Sequence, residues 1–287
     1  MDVTVAGRTH VFSGKETTGI KMPKKELGQH WLRDRDILAA IADDAELTSE
    51  DTVLEIGPGL GTLTSELLRH ADKVIAVEFD SDLARKLPGQ FPGTSLEVVN
   101  EDILSFDLTK LPSSYKVVAN VPYYITSKIV RALMTSTNRP SVAVLLVQKE
   151  VAERIVAGPG DMSILAIAAQ VYAEARLGVE VPKEYFTPPP KVDSQVVVLK
   201  THSLPLIAPE DEKQFFRLVK AGFSAKRKKL RSSLSGGLAL EKQTVEELLA
   251  SANISSDARA EDLSIDDWCQ LMGHMDDYRR PTHDISQ

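Results

Sequence analysis

VLEIGPGLGT, at residues 53–62, is the stretch that decides the fold, because three glycines directly follow a short apolar run. From Thr62 onward, apolar residues recur at three-to-four spacing, so the glycines lie between a strand pattern and a helix pattern. Glycine at such a junction lets the backbone turn tightly and approach a ligand without interference from Cβ. The stretch therefore predicts a nucleotide-like ligand at the carboxyl edge of a parallel sheet.

The same alternation of strand and helix patterns continues along the chain. The strand patterns lie at residues 52–56, 74–78, 96–99, 116–120 and 142–147, with helical patterns such as 62–69 and 127–135 between them. This alternation predicts a mostly parallel sheet covered by helices. Residues 171–181 and 192–201 follow without a helix pattern between them, which predicts an antiparallel pair at the end of the sheet.

A linker at 204–209 separates this region from one that has helical periodicity and no strand pattern. We predict four parts: a loose N-terminal tail (1–22), a Rossmann-like domain (23–204), a small α-helical domain (205–275) and a C-terminal tail (276–287). The fold class is α/β.

Composition excludes several classes of protein. The longest apolar runs are far shorter than a membrane helix, and the N-terminus lacks the apolar stretch of a secretory signal. A single cysteine, Cys269, and the absence of a zinc-like Cys/His spacing indicate no internal disulfide and no metal, in line with a cytoplasmic location. Nothing in the sequence suggests an oligomer, so we expect a monomer.

The spacing of the glycines indicates which ligand is bound. A dinucleotide fingerprint spaces them G-x-G-x-x-G, whereas Gly57, Gly59 and Gly61 form G-x-G-x-G after the acidic Glu55. This pattern favours S-adenosylmethionine. At the ends of the next two strand patterns, Glu78 is expected to accept hydrogen bonds from the ribose hydroxyls, and Asp102 one from the adenine amine.

The chemistry is predicted at Asn120-Val121-Pro122-Tyr123, directly after the fourth strand pattern. If the Asn120 side-chain oxygen and the Val121 carbonyl each accept one hydrogen of an adenine N6 amine, the nitrogen lone pair turns toward the sulfonium methyl. Such catalysis rests on positioning and requires neither a carboxylate base nor a metal. Pro122 stiffens the loop, and Tyr123 offers a flat face to an extruded adenine.

Six segments, in this order, resemble the KsgA-type small-subunit rRNA adenine dimethyltransferases. They are KELGQHWL (25–32), EIGPGLG (55–61), NVPYYI (120–125), QKEV (148–151), FTPPPKVDS (186–194) and FSAKRKKLRSSL (223–234). The resemblance covers about residues 23–275. It implies a class I S-adenosylmethionine-dependent methyltransferase that dimethylates two adjacent adenosines in a hairpin near the 3′ end of small-subunit rRNA. The implied partner is a partly assembled small ribosomal subunit.

The resemblance also implies roles for individual residues. Phe186 would close the far side of the adenine pocket. The implied cofactor-binding residues are Gln29, His30, Leu32, Gly57, Gly59, Glu78, Asp102 and Asn120. Two departures stand out: Trp31 replaces the usual Phe, and residues 158–163 (GPGDMS) replace a stretch that usually carries Tyr-Gly before the Ser. By the resemblance, the second departure is expected near the target pocket, where it would alter substrate access.

A basic run interrupts the otherwise acidic chain, whose formal net charge is -7. Five cations occupy six positions, too densely for one helix face, and we predict that they contact RNA phosphates. They are Lys226, Arg227, Lys228, Lys229 and Arg231.

Three other readings remain open at this point. An adenine methylase of large-subunit rRNA would share the cofactor and the Asn-x-Pro-Tyr logic. A non-catalytic RNA-binding assembly factor could keep the fold without the reaction, although the joint presence of Glu78, Asp102 and Asn120 disfavours it. A dinucleotide oxidoreductase fits the glycine spacing least well.

Overall fold

The computed structural model describes residues 29–225 and 227–275. The predicted tails and Lys226 lie outside the described residues. The strands are β1 (Trp31–Leu32), β2 (Thr52–Ile56), β3 (Lys73–Glu78), β4 (Leu96–Asn100), β5 (Lys116–Asn120), β6 (Val142–Gln148), β7 (Ala173–Val181), β8 (Phe186–Thr187) and β9 (Ser194–Thr201). The helices are α1 (Arg35–Asp43), α2 (Thr62–Leu67), α3 (Ser81–Lys86), α4 (Thr126–Thr135), α5 (Lys149–Ile155), α6 (Ile164–Gln170), α7 (Glu212–Gly222), α8 (Leu230–Leu238), α9 (Lys242–Ser251) and α10 (Ile265–Met275).

Seven strands form one sheet in the order β4-β3-β2-β5-β6-β9-β7. The pairs from β4 to β6 are parallel, and β9 runs antiparallel to both of its neighbours. The mostly parallel sheet and the antiparallel β7–β9 pair at its end are therefore confirmed. Since the chain order reverses between β2 and β5, the carboxyl ends of these strands flank a crevice, the usual ligand site of such sheets.

The central strands are apolar because helices cover the sheet on both sides. One cluster of buried side chains includes Leu38, Val53 and Leu67, from α1, β2 and α2. A second, larger cluster contains Leu54 of the same strand together with residues of α4 and α6. Successive residues of β2 thus enter opposite layers of the core, as the alternation of side chains along a strand requires.

The four C-terminal helices, α7 to α10, share the larger cluster with the sheet. At the junction, the buried Tyr172 ring lies 6.4 Å from the ring of Phe216, and the Arg139 guanidinium stacks on Tyr172 at 4.5 Å from its centroid. The backbone N–H groups of Gly160 and Met162 also donate to the Glu261 carbonyl, at 2.8 and 3.2 Å. The helical composition of the C-terminal region is confirmed, and its boundary at residue 205 stays a prediction.

One element has no counterpart in the sequence pattern. β1 and β8 form a separate two-stranded antiparallel sheet, in which Leu32 pairs with Phe186. A two-residue strand is too short to produce a periodic signal. In the described part of the chain, no helix is both long enough and apolar enough to span a membrane.

Candidate active site

A cavity of about 340 Å³ opens where the chain order of the sheet reverses. Its walls come from the ends of β2, β3 and β5, from the segment after β4, and from residues 29–32. Most of the predicted site residues line this one cavity. They are Gln29, His30, Leu32, Gly57, Gly59, Glu78, Asp102, Asn120, Val121, Pro122 and Tyr123.

The glycines of the β2–α2 loop serve two purposes. All three have positive φ angles, which favour glycine. A Cβ on Gly57 would meet no atom within 4 Å, so this position borders open space suited to a ligand. A Cβ on Gly61 would lie 2.8 Å from Leu87 and 2.9 Å from Phe91, so this glycine is required by the packing of α2.

The backbone holds Glu78 at the end of β3. The Gly59 and Asp80 N–H groups donate to its two carboxylate oxygens, at 3.0 and 2.8 Å. Burial raises the pKa of Glu78, while these hydrogen bonds favour its charged form. The carboxylate therefore has a fixed orientation beside the glycine loop.

Glu55 also lines the cavity, although the prediction used it only as part of the glycine motif. Its side chain is 1% exposed, and within the described residues its Oε2 atom has no hydrogen-bond partner. Burial, assisted by the nearby charge of Glu78, raises the pKa of Glu55 to about 8. A carboxyl group in the middle of an apolar strand was the signal that could have identified it.

Asn120 lies at the end of β5, and its Nδ2 atom donates to the His30 carbonyl at 3.2 Å. This bond assigns the nitrogen, since a carbonyl only accepts. In the part of the chain that the structure describes, no donor is bound to the Asn120 Oδ1 atom, which remains available as an acceptor. The Val121 N–H donates to the Leu146 carbonyl at 3.1 Å and fixes the start of the loop.

Tyr123 and His30 form an anchored pair beside Asn120. Their rings stack with centroids 5.9 Å apart, and the Tyr123 hydroxyl lies 2.6 Å from the Ser194 hydroxyl. His30 Nδ1 donates to the Pro188 carbonyl at 2.7 Å. His30 is therefore held by the segment that follows β8, and Tyr123 by the first residue of β9.

Phe186 is placed differently from the sequence expectation. Its side chain is 2% exposed, packs in the cluster with Leu32, and is not among the residues that line the cavity. The structure therefore gives it a supporting position behind β1, without contact to the cavity.

The unusual 158–163 loop lies outside the cavity lining. It hydrogen bonds to Glu261, and none of its residues lines the cavity. The expected effect of this loop on substrate access therefore stays a prediction.

Several residues of the site escaped the prediction. Phe79 follows Glu78 and is 61% exposed, and Leu104 is 37% exposed, although both line the cavity. They offer apolar surfaces beside Asp102, whose Oδ1 atom accepts from the Leu104 N–H at 3.0 Å. Two isolated apolar residues in the segments that follow β3 and β4 carry no periodic signal, so only the fold reveals them.

Charge is distributed unevenly around the cavity. Four carboxyl residues line it, namely Glu55, Glu78, Glu101 and Asp102. Lys128 is the one Lys or Arg among its described lining residues. The cavity thus combines an acidic region at β2 to β4 with a basic residue beyond the Asn120 loop. No group of three or more His, Cys, Asp and Glu side chains suited to a metal ion occurs in the described ranges.

The predicted RNA-binding cations do not share one environment. Lys229 pairs with Asp257 at 2.6 Å, and Arg231 pairs with Glu246 at 2.7 Å. Arg227 and Lys228 are exposed and form no ion pair with any described residue. Half of the described basic run is therefore already neutralised within the protein.

A glycine-rich turn after β2, an acidic residue at the end of β3 and a crevice at the sheet reversal define the class: a Rossmann-like, S-adenosylmethionine-dependent methyltransferase. The chain belongs to the ribosomal RNA adenine dimethylase family, whose sequence model matches residues 20–277.

Individual relatives agree with this assignment. A protein of Desulfitobacterium hafniense (strain DSM 10664 / DCB-2), named ribosomal RNA small subunit methyltransferase A, is 44% identical over 248 residues, which cover 85% of this chain and 89% of that protein. A dimethyladenosine transferase from Plasmodium falciparum superposes with a TM-score of 0.75 at 28% identity, over 86% of this chain and 98% of that one. The 23S rRNA methyltransferase ErmE gives a TM-score of 0.71 at 30% identity, over 86% and 99%.

Proposed function

We propose that this protein transfers methyl groups from S-adenosylmethionine to the N6 amines of two adjacent adenosines in a hairpin near the 3′ end of small-subunit rRNA. Its substrate would be a partly assembled small ribosomal subunit, on which it acts as a monomer in the cytoplasm. The observation that carries the proposal is the position of Asn120, with a free acceptor oxygen, beside a cavity whose other end is acidic.

The residues present fit S-adenosylmethionine, which supplies a methyl group on a positively charged sulfur. Its positive charge matches the acidic side of the cavity, which is lined by Glu78, Glu101 and Asp102. Glu78 would bind the ribose hydroxyls, Asp102 would accept from the adenine amine, and Phe79 would pack against the base. The open space beside Gly57 would admit the methionine part.

The reaction would rest on positioning by this chain's own atoms. In the first transfer, Asn120 Oδ1 and the Val121 carbonyl would each accept one hydrogen of the adenine amine, which frees the nitrogen lone pair to bond to the methyl group as the bond between that methyl and sulfur breaks. The amine would then release one proton to solvent, and in the second transfer one of the two acceptors would hold its remaining hydrogen. Tyr123, held by Ser194 and stacked near His30, would fix the plane of the extruded base. Residues 29–32 would keep water away from the reacting atoms.

The decisive experiment is transfer of labelled methyl groups to small ribosomal subunits that lack the modification, followed by mapping of the labelled nucleotides. We expect label on two adjacent adenosines, each carrying two methyl groups at completion. Purified large subunits serve as the competing acceptor, because the similarity to ErmE makes large-subunit rRNA the alternative substrate. Label that appears on large subunits alone, or on no adenosine, would refute the proposal.

A further inference from the structure

Tyr123 and Tyr124 are neighbours in sequence but lie in different environments. Tyr123 is half-buried and bonded to Ser194, whereas Tyr124 is 63% exposed while still lining the cavity. An aromatic ring of this size at the mouth of the cavity presents an open face where a nucleic acid strand would have to pass. Aromatic faces exposed in this way bind bases by stacking, without a strong preference for sequence.

α4 begins directly after this pair and continues the same surface. Its apolar side chains, among them Ile129 and Leu133, are buried in the larger core cluster. Lys128 and Arg131 occupy its exposed side, on the helical face that follows Tyr124. The two cations are three residues apart, or about 4.5 Å along the helix axis.

The helix that carries these cations, and the elements it packs against most, contain no acidic residue. α4 contains neither Asp nor Glu, and the same holds for the Tyr123–Ile125 turn and for α6, the elements it packs against most. Within residues 29–225 and 227–275, Lys128 and Arg131 form no salt bridge, in contrast to Lys229, directly before α8, and Arg231 on it. In a chain with a net charge of -7, such an unneutralised pair beside the cavity favours an anionic partner.

An aromatic face followed by two free cations fits a nucleic acid strand better than a small anion, because a strand supplies both a base and successive phosphates. α4 also packs into the same core cluster as α7 to α10, so it covers the same face of the sheet as the basic run. One RNA partner could therefore contact both.

We propose that the surface formed by Tyr124, Lys128 and Arg131 is a second RNA-binding surface, which holds the nucleotides next to the target adenosine. Tyr124 stacks on the adjacent base, and the two cations bind phosphates of the same strand. The inference rests on the proposed function, since it assigns a further part of the substrate to the same site.

The test compares Lys128→Glu/Arg131→Glu with the wild type in subunit binding over a salt titration. We expect at least tenfold weaker binding and a salt slope lowered by about 1.4 to 1.8, as for the loss of two phosphate contacts. Lys86→Glu is the matched control, since Lys86 is exposed on α3, outside the cavity lining, and unpaired in the described part of the chain. We expect it to bind within twofold of the wild type.

Tyr124→Ala tests the stacking contact through steady-state kinetics. We expect the KM for subunits to rise at least fivefold, with kcat and the Kd for S-adenosylmethionine nearly unchanged, and Tyr124→Phe to restore the KM. The inference would be overturned if the double variant had the same subunit affinity and the same salt slope as Lys86→Glu. It would also be overturned if Tyr124→Ala changed only the affinity for S-adenosylmethionine. The binding measurement needs no methyl transfer, so it tests the surface even if the wild type fails to methylate subunits. Failure of the wild type to methylate subunits would instead refute the proposed function.

Discussion

Asn120 shows at the residue scale how one hydrogen bond decides which atom is free for chemistry. Its Nδ2 atom is bound to the His30 carbonyl, so Oδ1 is the atom left to accept from the substrate. We predict that Asn120→Ala keeps the Kd for S-adenosylmethionine within about threefold but lowers kcat at least a hundredfold. Removal of one hydrogen bond to the transition state has an effect of about this size in other enzymes. Calorimetry and single-turnover methylation measure the two effects. Near-normal turnover by this variant would contradict the role given to Asn120.

Glu55 leads to a pH-dependent prediction. Its pKa is about 8 in the folded protein, against an ordinary value of 4.5. Between pH 4.5 and pH 8, the folded state therefore keeps a proton on this carboxyl group that the unfolded chain has released. The stability linked to the protonated carboxyl is therefore fully present below pH 4.5 and is lost as pH rises to about 8.

We predict that Glu55→Gln raises the Tm of the ligand-free protein relative to the wild type, and that this difference grows from pH 5 to pH 8. Each kcal/mol by which the substitution stabilises the folded state is expected to raise the Tm by about 2 to 4 °C. Scanning calorimetry at several pH values measures it, with Glu50→Gln as a control at an exposed carboxyl group. A difference that stays constant with pH would show that Glu55 ionises normally.

At the scale of elements, β1 is a short segment held over the cavity by hydrogen bonds from other parts of the fold. The Thr62 hydroxyl donates to the Leu32 carbonyl at 2.8 Å, at the start of α2. We predict that Thr62→Val weakens S-adenosylmethionine binding by about 2- to 10-fold, the value of one net hydrogen bond. Thr94→Val removes a similar bond, to Phe91, away from the cavity, and should leave the Kd unchanged. Equal effects of the two variants would argue against a role for β1 in holding the cofactor.

The ion pairs at the start of α8 separate the cations of the basic run into paired and unpaired ones. Lys228 is exposed and unpaired in the described part of the chain, whereas Lys229 is bound to Asp257. We predict that Lys228→Gln lowers subunit affinity and the salt slope more than Lys229→Gln does, because only a free cation releases counterions from RNA. Filter binding over a salt series measures both slopes. A larger loss for Lys229→Gln would mean that its pairing with Asp257 breaks on binding.

The sequence predicted the sheet and the loops at its carboxyl edge because parallel strands and glycine-rich turns leave strong local patterns. The residues it missed depend on tertiary structure. Phe79 carries no periodicity, and the burial of Phe186 follows from the pairing of β8 with β1, two strands of only two residues each. The ion pair of Lys229, directly before α8, reaches a residue 28 positions away, which a run of like charges does not reveal.

At the scale of the whole molecule, one buried cluster joins the sheet to the four C-terminal helices. Since the described residues on either side of position 205 share this cluster, we predict a single cooperative thermal transition that shifts as a whole when S-adenosylmethionine is added. Scanning calorimetry with and without the cofactor provides the measurement. Two resolved transitions, of which only one responds to the cofactor, would show that the helical region folds independently.

The bonds from Gly160 and Met162 to the Glu261 carbonyl tie the 158–163 loop to the helical region. Because the same core also joins the two regions, the fold restricts the separation between Asn120 and the cations of the basic run. An RNA would be modified only when its own folding has set the hairpin and a second stretch of backbone at the matching separation. The enzyme would then methylate folded substrate in preference, and an unfolded RNA of identical sequence would be a poor acceptor.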